Sequence, residues 1–426
     1  MKFAIIGGGL TGLTAAYELT KKGHEVTVYE KQKTLGGLAR GFKEPIWEWH
    51  LDYAYHHFFT NDSFVYKLLK ELKLDHTILI KRPVTSTYYG DAIHQFDSPL
   101  HLLTYSPLPI VDRLRTGIMI GLCKINPFWK PLEHFTAQSL FKPITGEKSW
   151  KLIWHPLLVG KFHSHTADIA ASWLWARIYK RTPKLGYIKG GFQTLTEGLA
   201  KKIRNQGGII QPNTEIHTIR NQSNKKYAFK IRINNTWKQF HKVLITTPSS
   251  VLESLIPQLP KNYINNLKHI PHLDAQMLIL ATKKPILKDI YWLNINNRSF
   301  PFLAAVAHTN FIDKKHYGGM HLSYFGNYLP SDHNMLKLSK TQLITKFMPY
   351  IQKLNPSFKK SSIIKSYMFI GSDAQPVHTI DYSKQAPPFN TPMKGLYLAN
   401  MDSIYPWDRG TNYAIELGKK VAKKLL

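Results

Sequence analysis

The chain opens on a short apolar run, Lys2 to Ile6, which predicts a strand. Leu13 to Lys22 has helical composition and stops at Gly23, and Glu25 to Glu30 reads as a second strand. Further on, Ser63 to Leu74 is patterned as an amphipathic helix, and Tyr88 to Ile93 as a hairpin around Gly90-Asp91. Ser149 to Leu158 and Ile169 to Tyr179 read as helices separated by Gly160-Lys161-Phe162-His163. The apolar stretch Ser98 to Cys123, broken by Pro107, Pro109, Asp112, Arg113 and Arg115, is expected to pack in a core rather than dip into a membrane surface. Gly190-Gly191-Phe192 opens a helix to Arg204. Strands follow at Ile209–Gln211 and Thr214–Ile219, then a hairpin from Lys226 to Phe240 turning at Asn234-Asn235, then a strand from Val243 into Thr247-Pro248. Leu252 to Ser361 reads as several strands with one or two helices. Gly395 to Asp402 is a last strand, and Arg409-Gly410-Thr411 opens a terminal helix.

With 426 residues, 43% hydrophobic and 20% charged, the chain has room for two or three domains and a sizeable core. Its one cysteine, Cys123, excludes an internal disulfide framework and a cysteine-built metal site. His163 and His165 lack carboxylate partners nearby, so no metal is expected. No uninterrupted apolar run approaches the ~18 residues of a spanning helix, and the N-terminus shows no small-residue cleavage site, so a cytoplasmic protein is expected. The 57 Lys and Arg against 27 Asp and Glu give a net charge of +30. Such a field attracts polyanions. The excess is scattered in pairs such as Lys21-Lys22 and Lys359-Lys360, without a basic run, so nucleic acid is not an expected partner.

Chemistry enters at Gly7-Gly8-Gly9-Leu10-Thr11-Gly12, which satisfies G-x-G-x-x-G between the first strand and the first helix. Gly7 permits the tight turn, Gly9 lets backbone approach a pyrophosphate, and Gly12 allows close helix–strand packing. The helix start at Leu10 and Thr11 offers free N–H groups to phosphates. Glu30, 18 residues after Gly12, is placed to accept from a ribose 2′-OH and disfavours NADP.

Leu35-Gly36-Gly37-Leu38-Ala39-Arg40 then resembles the extended FAD fingerprint of the flavin amine oxidase, phytoene desaturase and protoporphyrinogen oxidase superfamily, in the order and spacing of nearly the whole chain. Trp154-His155-Pro156, Trp173-Leu174-Trp175-Ala176-Arg177, Lys189-Gly190-Gly191-Phe192 and His308-Thr309-Asn310-Phe311 resemble its bacterial protoporphyrinogen-oxidase-like members. The resemblance implies an α/β fold: a Rossmann-type, glutathione-reductase-like FAD domain (1–60, 186–250 and 362–426) and an α+β substrate domain (61–185 and 251–361). It implies non-covalent FAD held by Gly7, Gly9, Leu10, Thr11, Gly12, Glu30, Lys31, Gly37, Leu38, Arg40, Ile216 at the adenine, Thr247, Asp402, Arg409, Gly410 and Thr411. The terminal helix would aim its N-terminus at the flavin N1/O2 edge. His57, with His56 beside it, falls where relatives pass near the flavin face and would hydrogen-bond or relay a proton. Lys161 is the other candidate at the reacting centre.

The function expected is dehydrogenation of C–N or C–C bonds in a medium or large, partly apolar substrate, with oxygen or quinone as acceptor. One alternative is a flavin-dependent, non-redox sugar-nucleotide mutase, because His56 to Asp62 resembles a segment of UDP-galactopyranose mutase. Another is a flavoprotein that binds RNA or membrane. A peripheral contact at the inner face of the membrane stays open.

Overall fold

The computed structural model describes residues 1–222 and 226–426. Five strands form a parallel sheet in the order Ile209–Gln211, Glu25–Tyr29, Lys2–Ile6, Lys242–Ile245, Leu396–Leu398. Parallel strands covered on both faces are apolar runs rather than alternations, and Phe3, Ala4 and Ile5 are all buried. The chain thus brings strands from its start, middle and end into one layer. The Leu10–Thr20 and Thr411–Leu425 helices pack against each other so closely that a Cβ on Gly418 would lie 2.6 Å from the Thr11 carbonyl oxygen.

A second, seven-stranded sheet runs in the order Ile363–Pro376, His272–Thr282, His321–Leu329, Ala304–Ala307, Trp292–Ile295, Thr85–Tyr89, Ala92–Gln95. It is antiparallel except where Trp292–Ile295 lies parallel to Thr85–Tyr89. The Thr85–Tyr89 and Ala92–Gln95 hairpin and the Phe229–Ile233 and Thr236–Phe240 hairpin form where the turn residues predict.

Three expectations need correction. The strand expected from Thr214 begins at Thr218, because Asn213 and Thr214 are drawn to the end of the parallel sheet, donating N–H to the carbonyls of Gln32 and Glu30 at 3.1 and 2.9 Å. Lys161 is not in a break between helices but in the helix His155–Phe162, where Gly160 packs against Leu303. Ser98–Cys123 does not simply pack in a core. Its helix Ile110–Ile125 buries only Thr116, Met119 and Cys123, while Ile110, Leu114, Ile118, Leu122 and Ile125 are each at least half exposed. Polar side chains of this helix point inward instead: Arg115 Nε donates to the Ile144 carbonyl at 2.9 Å, and Thr116 meets Ser149 at 2.5 Å.

Asp52 fixes the segment that leads toward the site. It is buried, accepts from Tyr187 O–H at 2.8 Å and caps the Phe192–Asn205 helix by accepting the Phe192 N–H at 3.1 Å. Burial lifts its carboxyl to about 7, against the pull of those two donors. The folded protein therefore binds this proton more tightly than the unfolded chain, whose value is near 3.8. Stability from this group is complete below pH ~4 and is lost as pH rises through about 7. Asp52→Asn removes that titration, so urea midpoints at pH 5 and pH 8 should shift in the variant's favour at the higher pH. An unchanged difference between the two proteins at both pH values would contradict this.

Candidate functional site

The turn after the first strand is built by contact, not only by pattern. Gly7 has φ 114°, and a Cβ there would sit 2.5 Å from Thr246 Oγ1. A Cβ on Gly12 would lie 2.2 Å from the Gly7 carbonyl oxygen. Gly9 bridges Gly36 in parallel fashion, which brings the two glycine turns together. The Leu10–Thr20 helix has Gly9 as N-cap and no side-chain cap, so its first N–H groups face outward without an internal acceptor. Glu30 is held at the sheet's C-terminal end, its carboxylate accepting from Gly8 N–H and Gln32 N–H at 2.8 Å each. Lys31 and Leu38 are exposed. Arg40 lies over the Tyr53 ring at 4.7 Å, and Ile216 packs beside the sheet end. Thr247 Oγ1 is buried without a partner.

A second group of side chains comes from the Ala171–Lys180 helix and the loop before the terminal helix. Asp408 organises it. Its carboxylate accepts from Lys161 Nζ at 2.8 Å, Arg177 Nη1 at 3.3 Å and Trp173 Nε1 at 3.2 Å. Burial alone would raise the Asp408 carboxyl, but Lys161 and Arg177 hold it well below the usual range. Lys161 is 4% exposed, and burial drives its ammonium down despite the pairing. Arg409 donates from Nε to Gln375 Oε1 at 2.7 Å and lies 4.6 Å from the Tyr328 ring. Asp402 is spoken for: it accepts from Ser249 Oγ at 2.5 Å and meets His272 Nε2 at 2.6 Å. Gly410 is the N-cap of the terminal helix and offers no side-chain cap, leaving the first N–H groups around Thr411 free for a ligand.

The profile of the flavin containing amine oxidoreductase family matches residues 10–426. The chain belongs to that family. A 4,4′-diapophytoene desaturase from Staphylococcus aureus (strain MRSA252) is 25% identical over 311 residues, covering 65% of this chain and 60% of its own. The desaturase relatives are matched over 60% of their own length or less. Among solved structures, an oxidoreductase from Methanosarcina mazei aligns at TM-score 0.78 and 18% identity, over 99% of this chain and 100% of its own. Reduced UDP-galactopyranose mutase aligns at TM-score 0.76 and 14% identity, over 100% and 95%. These structures establish the fold: a Rossmann-type parallel-sheet unit joined to an α+β unit.

The family is one of flavin-containing oxidoreductases, and this chain's own residues fit a dinucleotide. The glycine turns leave backbone open where a Cβ would intrude, the first helix presents unpaired N–H groups, and the orphaned Thr247 hydroxyl lacks a partner. The structure gathers Gly7, Gly9, Leu10, Thr11, Gly12, Glu30, Gly37 and Arg40 at one end of this path, and Lys161, Arg409, Gly410 and Thr411 at the other. His57 sits beside Tyr291, its Nδ1 3.3 Å from the phenol oxygen. Burial takes His57 down to about 3 and His56 to about 4, so both rings are neutral at pH 7. Near-neutral proton relay, expected of them from sequence, gives way to hydrogen bonding by uncharged imidazole.

Sequence reading missed Asp408, Arg181, Gln375 and Tyr55. The available signal for Asp408 was its place directly before Arg409-Gly410. One cluster, Glu133, His134 and Asp381, brings three metal-ligand atoms within 4.8 Å. Its groups are already engaged with Ser383, Lys384 and one another.

Proposed function

We propose that the protein binds FAD non-covalently and dehydrogenates a C–C bond of a medium or large, partly apolar substrate. The observation that carries this reading is the cluster in which Asp408 pairs with buried Lys161 and with Arg177, next to Arg409 and the neutral histidines. An ammonium substrate would enter against several positive charges, which disfavours the C–N alternative. When bound, flavin accepts the hydride. Tyr55, His56 and His57 then orient the substrate and exclude water, and Lys161, held by Asp408, carries the movable proton. The desaturase relatives act in the same direction. Oxygen or quinone would take the electrons. In this reading residues 1–60, 186–250 and 362–426 carry the cofactor, and 61–185 and 251–361 the substrate.

The visible spectrum of anaerobic, freshly purified protein tests it. A flavin absorbance that persists with NADH or NADPH and bleaches with an unsaturated-lipid precursor is the expected result. Absence of flavin from folded protein would refute the reading. Bleaching by nicotinamide alone would move the mutase reading ahead, which the alignment with UDP-galactopyranose mutase keeps in view.

No helix among the described residues is long and apolar enough to cross a membrane. We assign the exposed face of Ile110–Ile125 to peripheral contact with an anionic bilayer. Leu114, Ile118 and Leu122 stand outward on successive turns, in a chain of net charge +30. Leu114→Asp with Ile118→Asp should lower sedimentation with phosphatidylglycerol vesicles at least about tenfold, since each apolar side chain buried in lipid contributes on the order of 1 kcal/mol or more. Equal binding of variant and wild type would remove this surface from consideration.

A further inference from the structure

The turns that follow two neighbouring parallel strands, Lys242–Ile245 and Leu396–Leu398, are locked to each other by buried side chains. Asn400 Nδ2 donates to the Thr247 carbonyl at 3.1 Å and to Ser249 Oγ at 2.9 Å. Ser249 Oγ donates in turn to Asp402 Oδ2, and the Asp402 N–H returns to Asn400 Oδ1 at 3.1 Å. The other Asp402 oxygen is engaged from outside this unit. His272, the first residue of the strand His272–Thr282 in the seven-stranded sheet, meets Oδ1 through Nε2 at 2.6 Å. A second bridge runs alongside: Ser250 Oγ donates to Asp373 Oδ2 at 2.6 Å, on the adjacent strand Ile363–Pro376.

This network bears on the cofactor because ligands of parallel α/β sheets sit at the carboxyl ends of the strands. Both turns lie there, and the Thr247 hydroxyl, buried without a partner, stands on one of them. Both Asp402 oxygens are engaged by the protein, so Asp402 holds the turns rather than the ligand. His272 has two acceptors, the Asp402 carboxylate and the Ile270 carbonyl. A neutral imidazole carries one N–H and serves one of them, whereas the imidazolium serves both. Four titratable groups face the ring: Asp402 from the turn, Asp373 from the adjacent strand, Asp274 from its own strand, and His378. Burial would lower the imidazole, but Asp402 and Asp373 raise it above its ordinary 6.5. His378, taken down to about 4 by burial, stays neutral through that range.

We propose that His272 is a positioning residue for the flavin seat: through Asp402 it braces the 247–249 and 400–402 turns, and its proton sets how firmly they hold the cofactor. The proposal rests on the flavin reading above and gives the seven-stranded sheet a part in cofactor retention. Charged His272 serves Asp402 and Ile270 together, and the two turns stay fixed to each other. As pH rises through the imidazole's raised value, the ring gives up one of its two bonds and the brace weakens. FAD is therefore held more tightly on the acid side of that value.

The test is fluorescence titration of flavin-free, full-length protein with FAD at pH ~6 and pH ~9, on either side of the imidazole's value, beside hydrogen–deuterium exchange without FAD. Wild type should bind at least about fivefold more weakly at the higher pH. His272→Leu should lose that dependence, bind at the lower pH no better than wild type at the higher, and exchange the amides of 247–250 and 400–403 faster. His272→Gln keeps an N–H donor near the Nε2 position and cannot titrate. It should bind FAD more tightly than His272→Leu and with nearly one affinity at both pH values, a rescue that a packing role alone would not give. Should His272→Leu fail to fold, His272→Gln carries the comparison. Equal FAD affinity of wild type at the two pH values, or a pH dependence undiminished in His272→Gln, overturns the proposal. So does faster exchange with unchanged FAD affinity. Wild type that takes up no FAD, with turns that still loosen in His272→Leu, keeps the brace and refutes the flavin reading.

Discussion

Gly9→Ala should give a protein that folds normally and purifies without its yellow colour. The two other fingerprint glycines are required by the polypeptide itself. Gly7 has a left-handed φ of 114°, and a Cβ on Gly12 would lie 2.2 Å from a backbone oxygen. Gly9 is different. Its φ of −75° and ψ of 174° are open to any residue, and the nearest atom to an added Cβ is the Gly37 Cα at 3.8 Å, an ordinary contact. Nothing in the protein demands glycine there, so the demand comes from what the backbone must approach. Alanine should be neutral or stabilising by about 0.5 kcal/mol in cofactor-free protein, because it restricts the unfolded chain. Flavin affinity should fall at least ~10-fold, or about 1.4 kcal/mol. Gly12→Ala, by contrast, should compromise folding. The ratio of visible to ultraviolet absorbance, with far-ultraviolet dichroism and melting of each variant, separates these outcomes. Full flavin content in Gly9→Ala would mean that the pyrophosphate lies elsewhere.

The cofactor end of the site was legible because it is local. Gly7 to Glu30 and Leu35 to Arg40 form one continuous unit whose spacing is dictated by a strand, a turn and a helix. The terminal strand and helix were legible for the same reason. The other end was not, because it is assembled by side chains far apart in sequence: Lys161 and Asp408 are 247 positions from each other. No periodicity places them together. Burial was equally hidden. His56 and His57 read as near-neutral titrating groups, and only the surrounding protein shows that they stay uncharged. The helix Ile110–Ile125 was misread for an opposite reason. Its apolar residues suggested a core face, but Arg115 and Thr116 find internal partners and turn the helix around.

The largest effect on stability is expected at Asp408. Asp408→Asn keeps the shape of the side chain and removes its charge, which leaves Lys161 buried and Arg177 without a counterion. Breaking a buried ion pair by removing one partner typically costs about 3–5 kcal/mol, because the remaining charge is stranded. Lys161, with a side chain 5% exposed, is the group that would bear this. Burial already holds its ammonium below the usual lysine range, and loss of Asp408 removes the interactions that oppose that shift. The unfolded chain then binds this proton more tightly than the folded one, so stability rises with pH. The deficit of Asp408→Asn in urea unfolding should accordingly shrink between pH 7 and pH 9. Lys161→Met in the Asp408→Asn background should recover a large part of the loss, since no stranded ammonium is left. A deficit below about 1 kcal/mol, or a double variant no better than the single one, would show that Asp408 is not what compensates Lys161.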